Sequence, residues 1–144
     1  MIPALLLLAA AALDPQAFDF DRKRPFDVQE KGVERKNGAE VHDITFARAT
    51  SGRTAAYLVE PRRRGNGPGI LFVHWYEPES ADSNRTQFLN QALELARSGG
   101  ATSLLIETMW SDPKWFDKRN RAEDYENSII QVKELRRALD LLIA

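Results

Sequence analysis

The stretch GILFVHWYEPES, residues Gly69 to Ser80, decides how the rest of the chain is read. Ile70, Leu71, Phe72 and Val73 are consecutive apolar residues, so a strand built from them is oily on both faces. Such a strand belongs inside a sheet covered on both sides, the setting of parallel strands in α/β proteins. The run stops at His74 and passes into Trp75, Tyr76 and a Pro-and-acid segment. Before it, Arg62-Arg63-Arg64-Gly65-Asn66-Gly67-Pro68 reads as a solvated connecting loop. The alternating glycines 65, 67 and 69 precede the strand instead of following it, so they cannot set a helix N-terminus against a pyrophosphate.

Upstream, Val41 to Ala49 alternates, with Val41, Asp43 and Thr45 on one side and His42, Ile44 and Phe46 on the other, as in a half-buried strand. Thr50-Ser51-Gly52 is a turn, and Arg53 to Glu60 returns as the second arm of an antiparallel hairpin that Pro61 ends. Downstream, Asn84 with Gln87 resembles a capping box, which explains its neighbours better than the glycosylation sequon Asn84-Arg85-Thr86 does. Phe88, Leu89, Ala92, Leu93 and Ala96 follow at helical spacing until Gly99-Gly100. Thr102 to Ile106 is a further buried strand. Glu107 to Arg121 is a loop rich in aromatics, and an amphipathic helix begins near Asp124, with Ile129, Ile130, Val132, Leu135, Leu139, Leu142 and Ile143 as its apolar side.

The fold class expected is α/β: a doubly wound, mostly parallel sheet with an antiparallel N-terminal hairpin. Residues 18–40 are polar and charge-mixed and read as an irregular lead-in over the surface of a domain spanning 41–144. The last helix runs to Ala144 without a capping residue or a return strand, so the chain is expected to be the front portion of a longer protein.

The 144 residues suit one domain, with 43% hydrophobic and 28% charged residues. A net charge of −1 offers no basic patch for nucleic acid. With no cysteine there is no disulfide framework, thiolate metal site or thiol nucleophile. Ala4 to Leu13 has no polar side chain, a length that suits a signal-peptide core and falls short of a bilayer span. Ala10-Ala11-Ala12 and Ala17 offer two places for cleavage, so residues 1–17 are expected to be an export signal and the mature protein periplasmic or extracellular, without stable membrane insertion. A buried N-terminal helix is the plainer alternative.

The segments ITFARATSGRTAAYLVEP, GILFVHWYEP, NRTQFLNQALELARSGGATSLLIE and QVKELRRALDLL, taken in order, resemble the α/β-hydrolase superfamily, in particular its dienelactone-hydrolase-like branch, over roughly residues 40–144. The resemblance implies an incomplete α/β-hydrolase fold from an exported serine hydrolase acting on carboxylic esters or lactones, with no cofactor. It implies that the loop after the Gly69–Trp75 strand donates one oxyanion-hole N–H, from Trp75 or Tyr76. Where the family usually shows His-Gly, this chain has His74-Trp75, and Trp75 lacks the conformational freedom of glycine. No serine stands in a G-x-S-x-G, so the nucleophile, acid and base are expected beyond Ala144 and the chain alone is expected to be inactive.

Ligands of such sheets gather at the carboxyl ends of the strands, where His74, Trp110, Trp115 and Phe116 would line a substrate pocket. The rings could equally pin a long loop to the sheet. His74 reads as a hydrogen-bonded structural residue before a base, since the family's catalytic His follows the nucleophile in chain order. Glu107 and Asp112 read as solvated or capping carboxylates, and His42 and His74 are too isolated to make a metal site. A reading from a different class is a non-catalytic exported α/β domain that binds a small apolar ligand or a protein partner.

Overall fold

A computed structural model describes residues 14–63 and 66–144. The expected export signal therefore lies, up to Leu13, outside the described residues, as does Arg64-Gly65 of the Arg-rich loop. Five strands form one mixed sheet in an α/β arrangement: β1 (Gln29–Lys36), β2 (Ala39–Ala47), β3 (Arg53–Pro61), β4 (Gly69–Val73) and β5 (Thr102–Ile106), in the order β1-β2-β3-β5-β4. The helices are α1 (Leu89–Gly99), the short α2 (Trp115–Lys118) and α3 (Asp124–Ile143). None of the described helices is long and apolar enough to cross a membrane.

Three strand pairs are antiparallel and only β4–β5 is parallel, so the described sheet is mostly antiparallel, against the mostly parallel sheet expected. The reason lies in the connections. Short turns join β1 to β2 and β2 to β3 and force reversal, whereas only β4 and β5 are linked through a helix. The lead-in expected to be irregular over 18–40 is a strand from Gln29 onward. Asn37 and Gly38 make its turn with φ of 50° and 80°, the left-handed values that a two-residue hairpin loop demands. β1 is solvent-exposed along its whole length and covers the outer edge of β2.

Alternation along β2, β3 and β5 sends side chains to two cores. Val41, Val59 and Leu105 face Ala92, Leu93 and Ala96 of α1. Ile44, Phe46, Ala56, Leu104 and Ile106 face Ala138 of α3, with Leu135, Leu141 and Leu142 around it. β4 is more open than its apolar sequence suggests: Ile70 to Val73 are half-buried, because one edge of the strand has no neighbour among the described residues.

α1 ends as expected, with Gly100 left-handed at φ 64°. Its start differs. Residues 84–88 are turns, the helix begins at Leu89, and its N-cap Phe88 supplies no side-chain cap. Asn84 Oδ1 instead accepts the Thr86 N–H at 2.8 Å, closing a local turn.

α3 begins where expected, but its buried positions are Gln131, Glu134, Arg137 and Ala138, while Ile130, Val132, Leu139 and Ile143 of the expected apolar side are exposed. The polar residues are buried because they fasten other segments. Glu134 accepts the N–H groups of Ala49 and Thr50, each at 3.2 Å, and the Thr50 hydroxyl at 2.9 Å. Arg137, with no exposed surface, donates to Ala47 O (3.3 Å), Arg24 O (2.7 Å) and Pro25 O (2.9 Å) and lies 4.0 Å from the centre of the Phe26 ring. Residues 14–27 thus form a strap over α3.

Candidate functional site

Because β4 and β5 are parallel, with Val73 beside Ile106, the chain leaves both strands at the same end of the sheet. His74 to Tyr76 and Glu107 to Phe116 therefore meet there. This is the geometry from which the candidate site is built.

His74 is buried, with 2% of its surface exposed. Its Nδ1 lies 3.2 Å from Trp75 O. A carbonyl can only accept, so the ring proton is assigned to Nδ1 and Nε2 is the acceptor. Around Nε2 stand the Ser111 hydroxyl (2.9 Å), the Thr108 hydroxyl (3.0 Å) and the Thr108 N–H (3.3 Å). His74 thereby ties the end of β4 to the 3-10 turn Met109–Ser111. Ser111 Oγ is within nucleophile-to-base distance of the ring, yet it also accepts the Thr108 N–H at 3.2 Å and closes a capping box with Thr108. The pair is a cap and a strut.

Trp75 has its N–H committed: it donates to Gln87 Oε1 at 3.0 Å. The Trp75 carbonyl accepts the Ser83 hydroxyl (3.0 Å), and Ser83 Oγ in turn accepts the Glu77 N–H (2.9 Å). The indole N–H donates to Glu77 Oε2 at 3.2 Å. The loop 74–83 is thus closed upon itself, with Gln87 and Ser83 as its fasteners. The Trp75 ring is 55% exposed and meets Phe88 edge-on, centroids 5.3 Å apart.

Among the described residues the Tyr76 N–H has no acceptor. The Tyr76 side chain bridges the two loops: its hydroxyl donates to Pro113 O at 2.7 Å. Its ring packs against Trp115 (5.6 Å) and Phe116 (6.5 Å). The Arg119 guanidinium lies 4.8 Å from the Phe116 centroid and 5.5 Å from that of Trp115. Each such contact contributes on the order of 1 kcal/mol. Trp110 stands outside this ring cluster; it is half-buried and its N–H donates to Thr108 Oγ1 at 3.1 Å.

Of the residues expected to line a pocket, Trp115 borders a cavity, a groove of about 320 Å³ that also touches Met109, Lys118, Arg119 and Asn120. Phe116 is exposed and His74 is buried among its partners. Asp112 sits on the rim, where the Lys118 ammonium (2.7 Å) and the Lys114 N–H (2.9 Å) hold its carboxyl below the usual carboxylate range. Glu107 lies 3.5 Å from Arg85 Nε through one oxygen, while the other is buried without a hydrogen-bond partner. Arg85 also forks onto Asp43 (2.7 and 3.2 Å) and covers the Tyr57 ring at 4.0 Å. His42 lies away from this end, beside Glu30 (2.7 Å). Among the described residues no group of three or more His, Asp or Glu side chains is placed to hold a metal ion.

Sequence reasoning missed Gln87, Ser83, Thr108, Ser111 and Arg85. The Thr108-x-x-Ser111 spacing is a usable capping signal; Ser83 and Arg85 carry none, because their partners are distant in sequence.

No family model and no curated protein matches this chain. Among solved structures it is similar to the crystal structure of acetyl xylan esterase 1 from Thermoanaerobacterium sp. JW/SL YS485, at 22% identity and a TM-score of 0.49, covering 65% of this chain and 27% of that one. The chain thus spans well under half the length of that esterase.

Proposed function

We propose that this chain is the N-terminal part of an exported serine hydrolase of the α/β-hydrolase type, acting on carboxylic esters or lactones. The observation that carries the reading is the Tyr76 N–H, which has no acceptor among the described residues, at the carboxyl end of β4 beside a ring cluster drawn from the loops after β4 and β5. In the reaction a serine outside these 144 residues attacks the ester carbonyl, and negative charge gathers on the carbonyl oxygen. Tyr76 N–H is one donor to that oxygen; Trp75 N–H is engaged by Gln87 and is set aside. A base that also lies outside these residues takes the serine proton; the intermediate collapses with cleavage of the ester C–O bond, the alcohol leaves with that proton, and water then hydrolyses the acyl-enzyme to the acid and the free serine.

Two further observations support a larger parent fold with a doubly wound sheet. β4 is apolar on both faces yet keeps an open edge, and α3 exposes Val132, Leu139 and Ile143 along one side. A parallel strand added to β4 would cover both. The dienelactone-hydrolase-like branch rests on the ordered motifs alone, and export rests on the apolar run Ala4 to Leu13.

The test uses the full reading frame: turnover of a nitrophenyl ester, and labelling by a serine-reactive phosphonate. The label is expected on a G-x-S-x-G serine after Ala144. A full-length protein that neither turns over ester nor takes the label removes the hydrolase reading. A binding module would then stand in its place, for which the exposure of Trp75 (55%) and Phe116 (51%) speaks.

A further inference from the structure

We infer that Ser83 is a positioning residue for the proposed reaction: by clamping the backbone on both sides of Tyr76, it aims the Tyr76 N–H at the place where the substrate's oxyanion forms. The inference rests on the hydrolase reading above and adds to it what holds the donor in place.

A peptide group is planar, and the peptide bonds of the described residues are trans. The Trp75 carbonyl and the Tyr76 N–H share one such plane and point in opposite directions. Whatever holds the carbonyl therefore fixes the direction of the N–H. The Ser83 hydroxyl donates to Trp75 O at 3.0 Å, and His74 Nδ1 lies 3.2 Å from the same oxygen. The next plane along contains the Glu77 N–H, and that group donates to Ser83 Oγ at 2.9 Å. One oxygen thus grips the peptide planes before and after the Tyr76 Cα. The only soft rotations between those planes are the φ and ψ of Tyr76. Ser83 is itself buried, with 7% of its surface exposed, so little water reaches it to compete for either bond.

The other fastenings at this end of the sheet do different work. Gln87 takes the Trp75 N–H at 3.0 Å and removes the neighbouring donor from competition. The Tyr76 side chain is held separately, by its hydroxyl on Pro113 O and by the rings of Trp115 and Phe116. Loss of the Ser83 hydroxyl would leave those contacts in place and free the N–H to turn. A donor serves the reaction best when it is aimed before the charge appears, since no reorientation is then needed as the charge develops.

The experiment compares the full-length protein with its Ser83→Ala and Ser83→Thr variants, below the melting midpoint of each. Outright loss of an oxyanion donor costs about 10²–10³ in kcat, so a donor present but unaimed should cost about tenfold, with KM for a nitrophenyl ester changed less than about twofold. Labelling by the serine-reactive phosphonate should slow by the same factor, because its phosphoryl oxygen takes the oxyanion's place. Ser83→Thr keeps the hydroxyl and should restore most of the lost kcat. Ser83→Cys, of nearly the same size and with only a weak donor, gives the same test where the alanine variant does not fold. An unchanged kcat, or a loss confined to KM, overturns the inference and leaves the hydrolase reading standing. A parent protein that neither turns over ester nor takes the label overturns the hydrolase reading, and the catalytic role of Ser83 with it. NMR with isotope-labelled tyrosine reads the clamp without turnover. The Tyr76 amide signal, assigned by its loss in Tyr76→Phe, should shift in Ser83→Ala and return in Ser83→Thr; a signal that stays in place overturns the clamp.

Discussion

Replacing Arg137 with Ala tests whether the strap and α3 are held as the hydrogen bonds indicate. Arg137 is wholly buried, and its guanidinium makes three bonds to carbonyls, Ala47 O on β2 and Arg24 O and Pro25 O on the strap. Burial presses its pKa below the ordinary arginine value, with the charge of Arg24 adding to the effect and Asp140 and Glu134 opposing it. A bond from a charged donor nets roughly 1.5–3 kcal/mol, and the desolvation of the cation offsets part of that. The Phe26 contact adds about 0.5–1 kcal/mol. Two of the three carbonyls can rehydrate if the strap lifts, which limits the loss. The expected cost of Arg137→Ala is therefore about 3 kcal/mol, or a midpoint lower by about 9 °C for a chain of this length. Hydrogen exchange should speed up first at the Ala47 N–H, which donates to Phe26 O at 2.7 Å. Arg137→Met keeps the apolar stem and removes the fork, so it should recover less than half of the loss. A methionine variant as stable as the parent would refute the reasoning, since it would make the buried cation dispensable, as replacement of buried charges by apolar side chains sometimes does.

Gln87→Ala should free the Trp75 N–H and raise its hydrogen-exchange rate several-fold, at a cost of about 1 kcal/mol to the melt; an unchanged rate would show that Gln87 does not hold the loop. Asp112 has its pKa lowered in the folded chain, chiefly by Lys118, so its pairing is present above the unfolded value near 4 and is lost as pH falls through the lower folded value. Trp115 fluorescence should report an acid transition in that window that Asp112→Asn abolishes. Gly67→Ala should destabilise by roughly 1–3 kcal/mol in a urea melt, because a Cβ there would lie 2.0 Å from the Gly100 carbonyl oxygen, a backbone atom that cannot swing aside.

What could be read beforehand was local. The apolar run at Ile70 to Val73 was readable as a parallel strand and Gly99-Gly100 as a helix stop, because each depends on neighbours in sequence. Asn37-Gly38 carried a hairpin signal of the same kind, yet the charged residues of Gln29–Lys36 hid the strand before it. An edge strand exposed throughout has no apolar alternation to show. The insertion of β5 between β3 and β4 is set by long-range pairing that no window of residues reports, while the surplus of antiparallel pairs comes with the β1–β2 hairpin, whose first strand the charges hid. At the site, the convergence of the two aromatic loops followed from strand direction alone. The commitment of the Trp75 N–H did not, because Gln87 has two plausible partners, a helix N-terminus and a loop, and the loop took it.

The mixed inner face of α3, where Leu135 and Leu142 pack inward beside Glu134 and Arg137, has a physical logic that bears on the proposed parent. A helix that turned its apolar stripe inward would have to leave Glu134 and Arg137 in solvent, and the β2–β3 turn and the strap would lose their fasteners. Instead Glu134 and Arg137 hydrogen-bond inside, with Arg137 Nη1 alone left without a partner among the described residues, and Tyr125, Val132 and Leu139, each seven residues from the next, line up outward with Ile143. Exposed apolar side chains at that spacing mark a surface that another element covers. The outer edge of β4 has the same requirement, since among the described residues its N–H and C=O groups there have no neighbouring strand. In the proposed parent one added parallel strand would meet both demands and run beside the strand whose carboxyl end carries the unpaired Tyr76 N–H. The position from which a nucleophile would have to approach that donor is therefore the same flank that the helix and the sheet leave bare.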